Sequence, residues 1–383
     1  MRILWINRQA SWAGGCEYYI AEMVQQLSQE GVQSALLYDS RFPPSPSYQQ
    51  IFHSSTSEKE KETLLQSFQP HIFFLHQWRP LSSLQLPKDR PQVRFFHDHE
   101  LFCLRHHKYT VMTRQTCTRS TGLRCYPCLG FLKRTQGRLG FGVTRLKTLH
   151  EEQADNRQLN AYIVASHYMK QHLKAHHFEE EKIQVFPLFA PLPQTLASPE
   201  LPKERDLLFV GRLERGKGID HLLSALKLTH APHTLTLVGQ GPQQAELEAQ
   251  VQKNKLQACV SFKGNQNKSE LALLYQTHRC LVLPSRSPET FGLVGPEAMS
   301  YGLPAVATDV GGIREWLSHG KTGLLVPSGD KYALAQALED ILLSPQKAHN
   351  FGQKALENYH LAFRPVLHKQ RLFHFFSTLL QKG

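Results

Sequence analysis

The chain has 383 residues, 41% of them hydrophobic, and carries 44 Lys and Arg against 32 Asp and Glu. That length is about twice the usual domain size and the apolar content is ordinary, which predicts two packed cores and excludes intrinsic disorder or a disulfide-stapled miniprotein. No stretch approaches the roughly 18 consecutive apolar residues of a membrane-spanning helix.

The first element is an apolar run, Ile3 to Ile6, broken at once by Asn7 and Arg8. It is too short for a secretory h-region, so the expected compartment is the cytosol. Short β-rich runs then alternate with longer polar helical stretches. In the first half they are Arg2 to Asn7, Ser34 to Tyr38, His71 to His76, Val93 to His97, Ala161 to Ser166 and Ile183 to Phe186. In the second they are Asp206 to Val210, Thr234 to Val238, Val260 to Lys263, Cys280 to Pro284, Ala305 to Thr308 and Gly323 to Val326. Near-continuous apolar strands separated by helix-length segments predict α/β architecture: two Rossmann-like domains with parallel, helix-covered sheets. Five prolines fall within the sixteen residues Pro187 to Pro202 and cannot continue a helix or central strand. The expected layout is a first domain over 1–189, a Pro-rich linker over 190–204, a second domain over 205–360 and a C-terminal helix over 361–383 that packs back on the body. Two such domains facing each other leave a cleft, and ligands of open α/β sheets bind beyond the carboxyl ends of the strands.

The loop after the first strand reads Ser11-Trp12-Ala13-Gly14-Gly15-Cys16-Glu17, with a helix expected from about Tyr18. Adjacent glycines there let a ligand approach the backbone, or simply make a tight turn. His97-Asp98 ends a strand of the same domain.

The formal net charge of +12 is local. Residues 101–150 hold no Asp or Glu and ten cations: Arg105, Lys108, Arg114, Arg119, Arg124, Lys133, Arg134, Arg138, Arg145 and Lys147. The remainder has 34 basic and 32 acidic residues. Phe102, Tyr109, Leu129, Phe131, Leu132, Leu139, Phe141, Val143 and Leu146 lie among these cations. Cations mixed with exposed apolar side chains could meet an anionic membrane surface or a phosphorylated acceptor, or be only a solvated face. A nucleic-acid partner would rest on charge alone, since no zinc-finger, RNP or basic-zipper pattern accompanies it; none is expected. The same segment holds Cys103, Cys117, Cys125 and Cys128, four of the seven cysteines. They are either the ligands of a structural zinc or plain thiols; their gaps match no standard finger spacing.

In the second domain Arg212 and Lys217 flank a glycine-rich turn at a strand's carboxyl end, an arrangement suited to clamping a diphosphate. No Walker sequence is present. The densest constellation is Pro284-Ser285-Arg286-Ser287-Pro288-Glu289-Thr290-Phe291-Gly292-Leu293-Val294-Gly295-Pro296-Glu297. Eight residues separate Glu289 from Glu297, about 12 Å if helical, whereas a retaining glycosidase pair needs about 5–5.5 Å. The two acids are expected to contact different parts of one extended ligand. Pro296 suits a first helical turn, so a helix is expected to begin around Gly292 to Gly295.

These motifs resemble the retaining GT-B glycosyltransferases of family 4. The resemblance covers nearly the whole chain and is densest from Leu207 to Pro327. It includes the Arg-x4-Lys pair, Val238-Gly239-Gln240-Gly241-Pro242, Phe262-Lys263-Gly264, the Glu-x7-Glu element, Tyr301-Gly302-Leu303-Pro304, Gly311-Gly312 and Gly323-Leu324-Leu325-Val326-Pro327. It implies the GT-B fold and sugar transfer from a nucleotide-sugar donor to a glycan, lipid-linked or other acceptor with retained anomeric configuration. Arg212 and Lys217 would then hold the diphosphate, Glu289 the sugar and Glu297 the ribose. Thr290, Phe291, Gly292 and Leu293 would line the donor site with Gly239, while Gly14 and Gly15 would line the cleft and His97 would lie near the transferring sugar. Catalysis would need no metal, in keeping with the absence of an Asp-x-Asp motif. The basic segment points to surface polysaccharide or lipopolysaccharide assembly at the inner face of a membrane. The rivals are a non-hydrolysing nucleotide-sugar epimerase, a non-catalytic nucleotide-sugar-binding protein and a nucleic-acid binder. The donor base, sugar and acceptor stay open.

Overall fold

The computed structural model describes residues 1–110, 116–128, 132–134, 141–143, 145–191 and 205–381. The expected linker lies almost wholly outside these residues, as do Arg114, Leu129, Phe131, Arg138 and Leu139. The chain forms two compact units. The first comprises Met1–His106, Arg119–Pro187 and Pro365–Gly383; the second comprises His107–Thr118 and Leu188–Arg364.

The first unit is built on β1 (Arg2–Asn7), β2 (Gln33–Tyr38), β3 (Ser54–Ser57), β4 (Ile72–Leu75) and β5 (Gln92–Phe96), followed after the short antiparallel pair β6 (Leu132–Arg134) and β7 (Phe141–Val143) by β8 (Ala161–Val164) and β9 (Ile183–Val185). All but β6 and β7 form one parallel sheet in the order β3-β2-β1-β4-β5-β8-β9. Every residue of β4 and β8 is buried, the signature of a sheet covered on both faces. At its edge β3 is Ser-Ser-Thr-Ser, with no apolar pattern to announce a strand. The helix Gly15–Ser28 buries Tyr19, Ile20, Met23, Val24 and Leu27 along one stripe.

The helix Pro365–Gln381 belongs to this first unit. His368 joins it to Tyr19 Oη (2.9 Å) and to the Pro187 carbonyl (2.9 Å), Lys369 pairs with Glu30 (2.5 Å), and the Phe376 ring meets Phe74 edge-on.

The second unit holds β10 (Arg205–Val210), β11 (Leu235–Val238), β12 (Val260–Gly264), β13 (His278–Leu283), β14 (Ala305–Thr308) and β15 (Gly323–Val326), all parallel, in the order β12-β11-β10-β13-β14-β15. Its core joins Leu207 and Phe209 of β10 to Leu222, Leu223 and Leu226 of one helix and Leu334, Leu338 and Ile341 of another. The helices Lys268–Thr277, Lys331–Leu342 and Pro345–Ala362 start on side-chain caps: Asn267 with Glu270 forms a reciprocal capping box, and Asp330 and Ser344 accept from N–H groups of the following turn.

Two expectations need correcting. The first helix begins at Gly15, earlier than Tyr18, because Gly14 itself caps it. Phe102, Tyr109 and Leu146, expected among surface cations, are buried, as is Lys108. The apolar side chains well exposed in the described part of that segment are Leu123 and Tyr126. Among the described residues no helix is long and apolar enough to cross a membrane.

Candidate active site

In the second unit, chemistry gathers where the strands end. A concavity of about 280 Å³ is lined by Val210 at the end of β10, Gly211 and Arg212 after it, Gly239 and Gln240 after β11, and Asn265 after β12. Arg212 is three-quarters exposed there, 3.7 Å from Glu214. Gly239 gives its N–H to the Gly264 carbonyl (2.7 Å), so it offers a ligand a close approach instead of a donor.

Beside this hollow the turn Arg215–Lys217 is fastened to the loop after β13. The N–H groups of Arg286 and Ser287 both donate to the Gly216 carbonyl (2.7 and 2.9 Å). Gly218 sits at φ +70°, and a Cβ on it would come within 2.0 Å of the Pro284 carbonyl oxygen, so no other residue fits between the two loops. Arg286 is the buried pin: its guanidinium bonds Asp220, the His221 ring and the Arg215 carbonyl, while the Tyr109 ring lies 5.5 Å away.

This fastening brings Lys217 to Glu289. Lys217 Nζ donates to both carboxylate oxygens, at 2.8 and 3.1 Å, and Ser285 Oγ donates to Oε1 at 2.6 Å. The side chains are 27% and 16% exposed, leaving the pair open to a ligand. Burial pulls the Lys217 ammonium down, but the Glu289 carboxylate and its hydrogen bonds outweigh this and leave the group above its ordinary value. The Glu289 backbone is equally fixed. Its carbonyl accepts from Gly312 N–H (2.8 Å), and Gly311 packs so close that a Cβ would lie 2.1 Å from that oxygen.

Downstream, Phe291 is fully buried and its carbonyl accepts from Trp316 Nε1 (2.8 Å), so its ring cannot touch a ligand. Thr290, Gly292 and Leu293 are partly exposed beside it. The short helix Val294–Ser300 follows, as the proline at position 296 suggested. Glu297 is held by Tyr275 Oη (2.9 Å). Burial raises its pKa above the usual carboxylate range, and the Tyr275 hydrogen bond offsets part of that rise. Glu289 and Glu297 are thus held by separate anchors.

In the first unit, Gly14 caps the helix Gly15–Ser28, and a Cβ at Gly15 would stand in open space. His97 follows β5, with Nε2 at 2.8 Å from His76 Nδ1 and its ring against Phe95. Burial, then Arg94, pulls its pKa down to about 3, so the imidazole is neutral at physiological pH. Asp98 accepts from Glu100 N–H (2.8 Å) and Gln77 Nε2 (3.3 Å).

The cysteines of the basic segment are free thiols, with Cys103, Cys125 and Cys128 in the first unit and Cys117 in the second. Among the described residues they are not part of any group of three or more metal-ligating atoms within 4.8 Å of one another. The sequence reading quoted Ser285 and Arg286 in its densest constellation without assigning them a role, and missed Tyr275, Trp316 and His76. Of these three only His76 carried a signal, because it closes the apolar run Ile72 to Leu75 as His97 closes its own.

Residues 195–358 match the sequence model of the family described as Glycosyl transferases group 1. Glycogen synthase of Mycobacterium tuberculosis is 37% identical over 153 residues, which are 39% of this chain and 37% of that protein. The chain spans well under half the length of the first curated relatives it matches. Among solved structures, the sucrose-phosphate synthase of Thermosynechococcus elongatus superposes with a TM-score of 0.72 at 22% identity, covering 100% of both chains. HepE of Anabaena in complex with UDP gives 0.72 at 18%, over 99% of this chain and 100% of that one. The chain has the α/β GT-B fold, and its C-terminal half is similar in sequence to the group 1 glycosyl transferases.

Proposed function

We propose that the protein is a glycosyltransferase that moves a sugar from a nucleotide-sugar donor to a glycan, lipid-linked or other acceptor, with retention at the anomeric carbon. The observation that carries this reading is the Lys217–Glu289 pair, held open to solvent beside the Arg212 hollow within the stretch that matches the family.

When the sugar–phosphate bond breaks, the sugar gains oxocarbenium character and the leaving diphosphate gains charge. Fixed cations lower that barrier because they act where charge develops. Arg212 and Lys217 would meet the diphosphate, with Lys217 shared between phosphate and Glu289; Glu289 would accept from sugar hydroxyls and Glu297 from the ribose. Backbone N–H groups of 291–293 would add donors, and Gly239 would allow the nucleotide close to the chain. Gly14, Gly15 and His97 would serve the acceptor and the transferring sugar from the first unit. With Arg212 and Lys217 at the leaving group, no metal is needed there. In a retaining front-side reaction a donor phosphate oxygen takes the acceptor proton as the new glycosidic bond forms and the old one breaks.

The test is a nucleotide-sugar panel read by thermal stabilisation, followed by NMR of the product made with the stabilising donor in excess EDTA. A retained anomer is expected. An inverted anomer refutes retention, conversion of the donor without any acceptor identifies an epimerase, and binding without turnover identifies a non-catalytic binder.

A further inference from the structure

Three neighbouring strands of the first sheet, β1, β4 and β5, end side by side, and their carboxyl ends assemble a cluster that the transferase reading leaves largely unused. His76 follows β4, His97 follows β5, and Cys16 stands in the first turn of the helix after β1. The two rings face each other with His76 Nδ1 2.8 Å from His97 Nε2, and Cys16 Sγ completes a trio of ligand atoms lying within 4.8 Å of one another. Cys16 is 7% exposed and His76 1%. The His76 ring is stacked on Trp5 and packed against Phe74, and among the described residues its Nε2 has no hydrogen-bond partner. Asn7, the last residue of β1, backs the thiol: its Oδ1 lies 3.7 Å from Sγ and accepts from Gln77 N–H.

We propose that Cys16, His76 and His97 form a binding site for a soft transition-metal ion of the zinc class. One thiolate and two imidazoles are a donor set that zinc and copper favour over hard cations. Three protein ligands around a tetrahedral ion leave one position for water. With Zn–N near 2.0–2.1 Å and Zn–S near 2.3 Å, the ligand nitrogens would stand about 3.3 Å apart and sulfur about 3.6 Å from each. The rings therefore open by about half an ångström from 2.8 Å, and the thiol, already within 4.8 Å of both nitrogens, closes by at most a little over an ångström, within reach of side-chain rotation.

Cys16 releases its thiol proton to solvent as the metal–sulfur bond forms. The proton between the rings moves to a distal ring nitrogen, so that each neutral imidazole presents a lone pair, and the six-coordinate aquo ion keeps one water and releases the others.

The inference shares His97 with the transferase reading, and the test separates the two. Full-length reduced protein is stripped with a chelator and titrated with Co²⁺, then with Zn²⁺. One equivalent of Co²⁺ is expected to give a thiolate-to-cobalt charge-transfer band with the intense visible bands of a tetrahedral site, both bleached by Zn²⁺. Cys16→Ser, its fold checked by circular dichroism, is expected to lose the charge-transfer band and weaken binding by at least about 100-fold, while Cys125→Ser titrates like wild type. Absence of the thiolate band, its persistence in Cys16→Ser, or its loss only in Cys125→Ser would overturn the site. Zn²⁺ inhibition of transfer in wild type but not in Cys16→Ser supports the site. A Cys16-dependent band in a protein without transferase activity upholds the site while sinking the transferase reading.

Discussion

The carboxyl ends of the two sheets carry different side chains on the same architecture. In the second unit the rim is ionic and glycine-contoured: Lys217 against Glu289, Arg286 against Asp220, with Gly218 and Gly311 giving the loops room to close on one another. In the first unit the central rim is neutral and aromatic: His76 and His97 face each other among Trp5, Phe74, Tyr19 and Phe95. A parallel sheet supplies the place, and the residue that follows each strand decides what the place can do. A charged rim suits a leaving phosphate, whereas a neutral one suits hydroxyls or a soft metal.

The largest expected effect breaks the ionic rim. In the proposed transferase Lys217→Ala removes a cation from the leaving group and should lower kcat by about 10²–10³-fold. Glu289 keeps its Ser285 hydrogen bond, so the fold should survive. Unchanged turnover in a steady-state assay would show that the ionic rim is not the reacting one. Next comes Gly311→Ala. It places a methyl group 2.1 Å from the Glu289 carbonyl at φ +58°, so backbone must shift. The expected loss is about 1–3 kcal/mol, seen as a lower midpoint in urea, together with weaker donor binding because Glu289 moves.

The smallest effect sharpens the comparison by pH. Burial raises the Glu297 pKa in the folded protein, so its contribution to stability is fully present below the unfolded value of 4.5 and is lost as pH climbs through the folded value. Glu297→Gln keeps an acceptor for Tyr275 and carries no charge. Relative to wild type it should gain melting temperature as pH rises above the ordinary carboxylate range, the difference vanishing in acid, while nucleotide affinity falls. A difference independent of pH in calorimetric scans would mean that Glu297 is not buried as a charge. In the first unit, by contrast, the neutral rim should bind Co²⁺ through Cys16.

What could be read in advance follows the same division. Twelve strands declared themselves by apolar runs, but the short pair Leu132–Arg134 and Phe141–Val143 did not, nor did Ser54–Ser57, because an edge strand half exposed on its faces needs no hydrophobic residue. Arg212, Lys217, Glu289 and Glu297 were visible because glycines and charges at strand ends are rare enough to notice. Their supports were not. Arg286 meets Asp220 across 66 positions and Trp316 meets Phe291 across 25, and nothing local marks either pair. The basic segment misled for a related reason: Phe102 and Tyr109 sit among cations in the sequence yet are buried, Phe102 beside Phe96 and Phe178 and Tyr109 next to the Arg286 guanidinium. Periodicity predicted the last helix, but only its contacts with Tyr19, Glu30 and Phe74 assign it to the first unit.

That last helix has a consequence for biogenesis. Domains ordinarily fold in the order in which they leave the ribosome, the N-terminal one first. Here the earlier-made unit waits for Pro365–Gln381, so the later-made one is complete in sequence before it. Nascent chains released just short of Pro365 should expose the groove around Tyr19 and Phe74 to chaperones and proteases, and supplying the missing peptide in trans should close it.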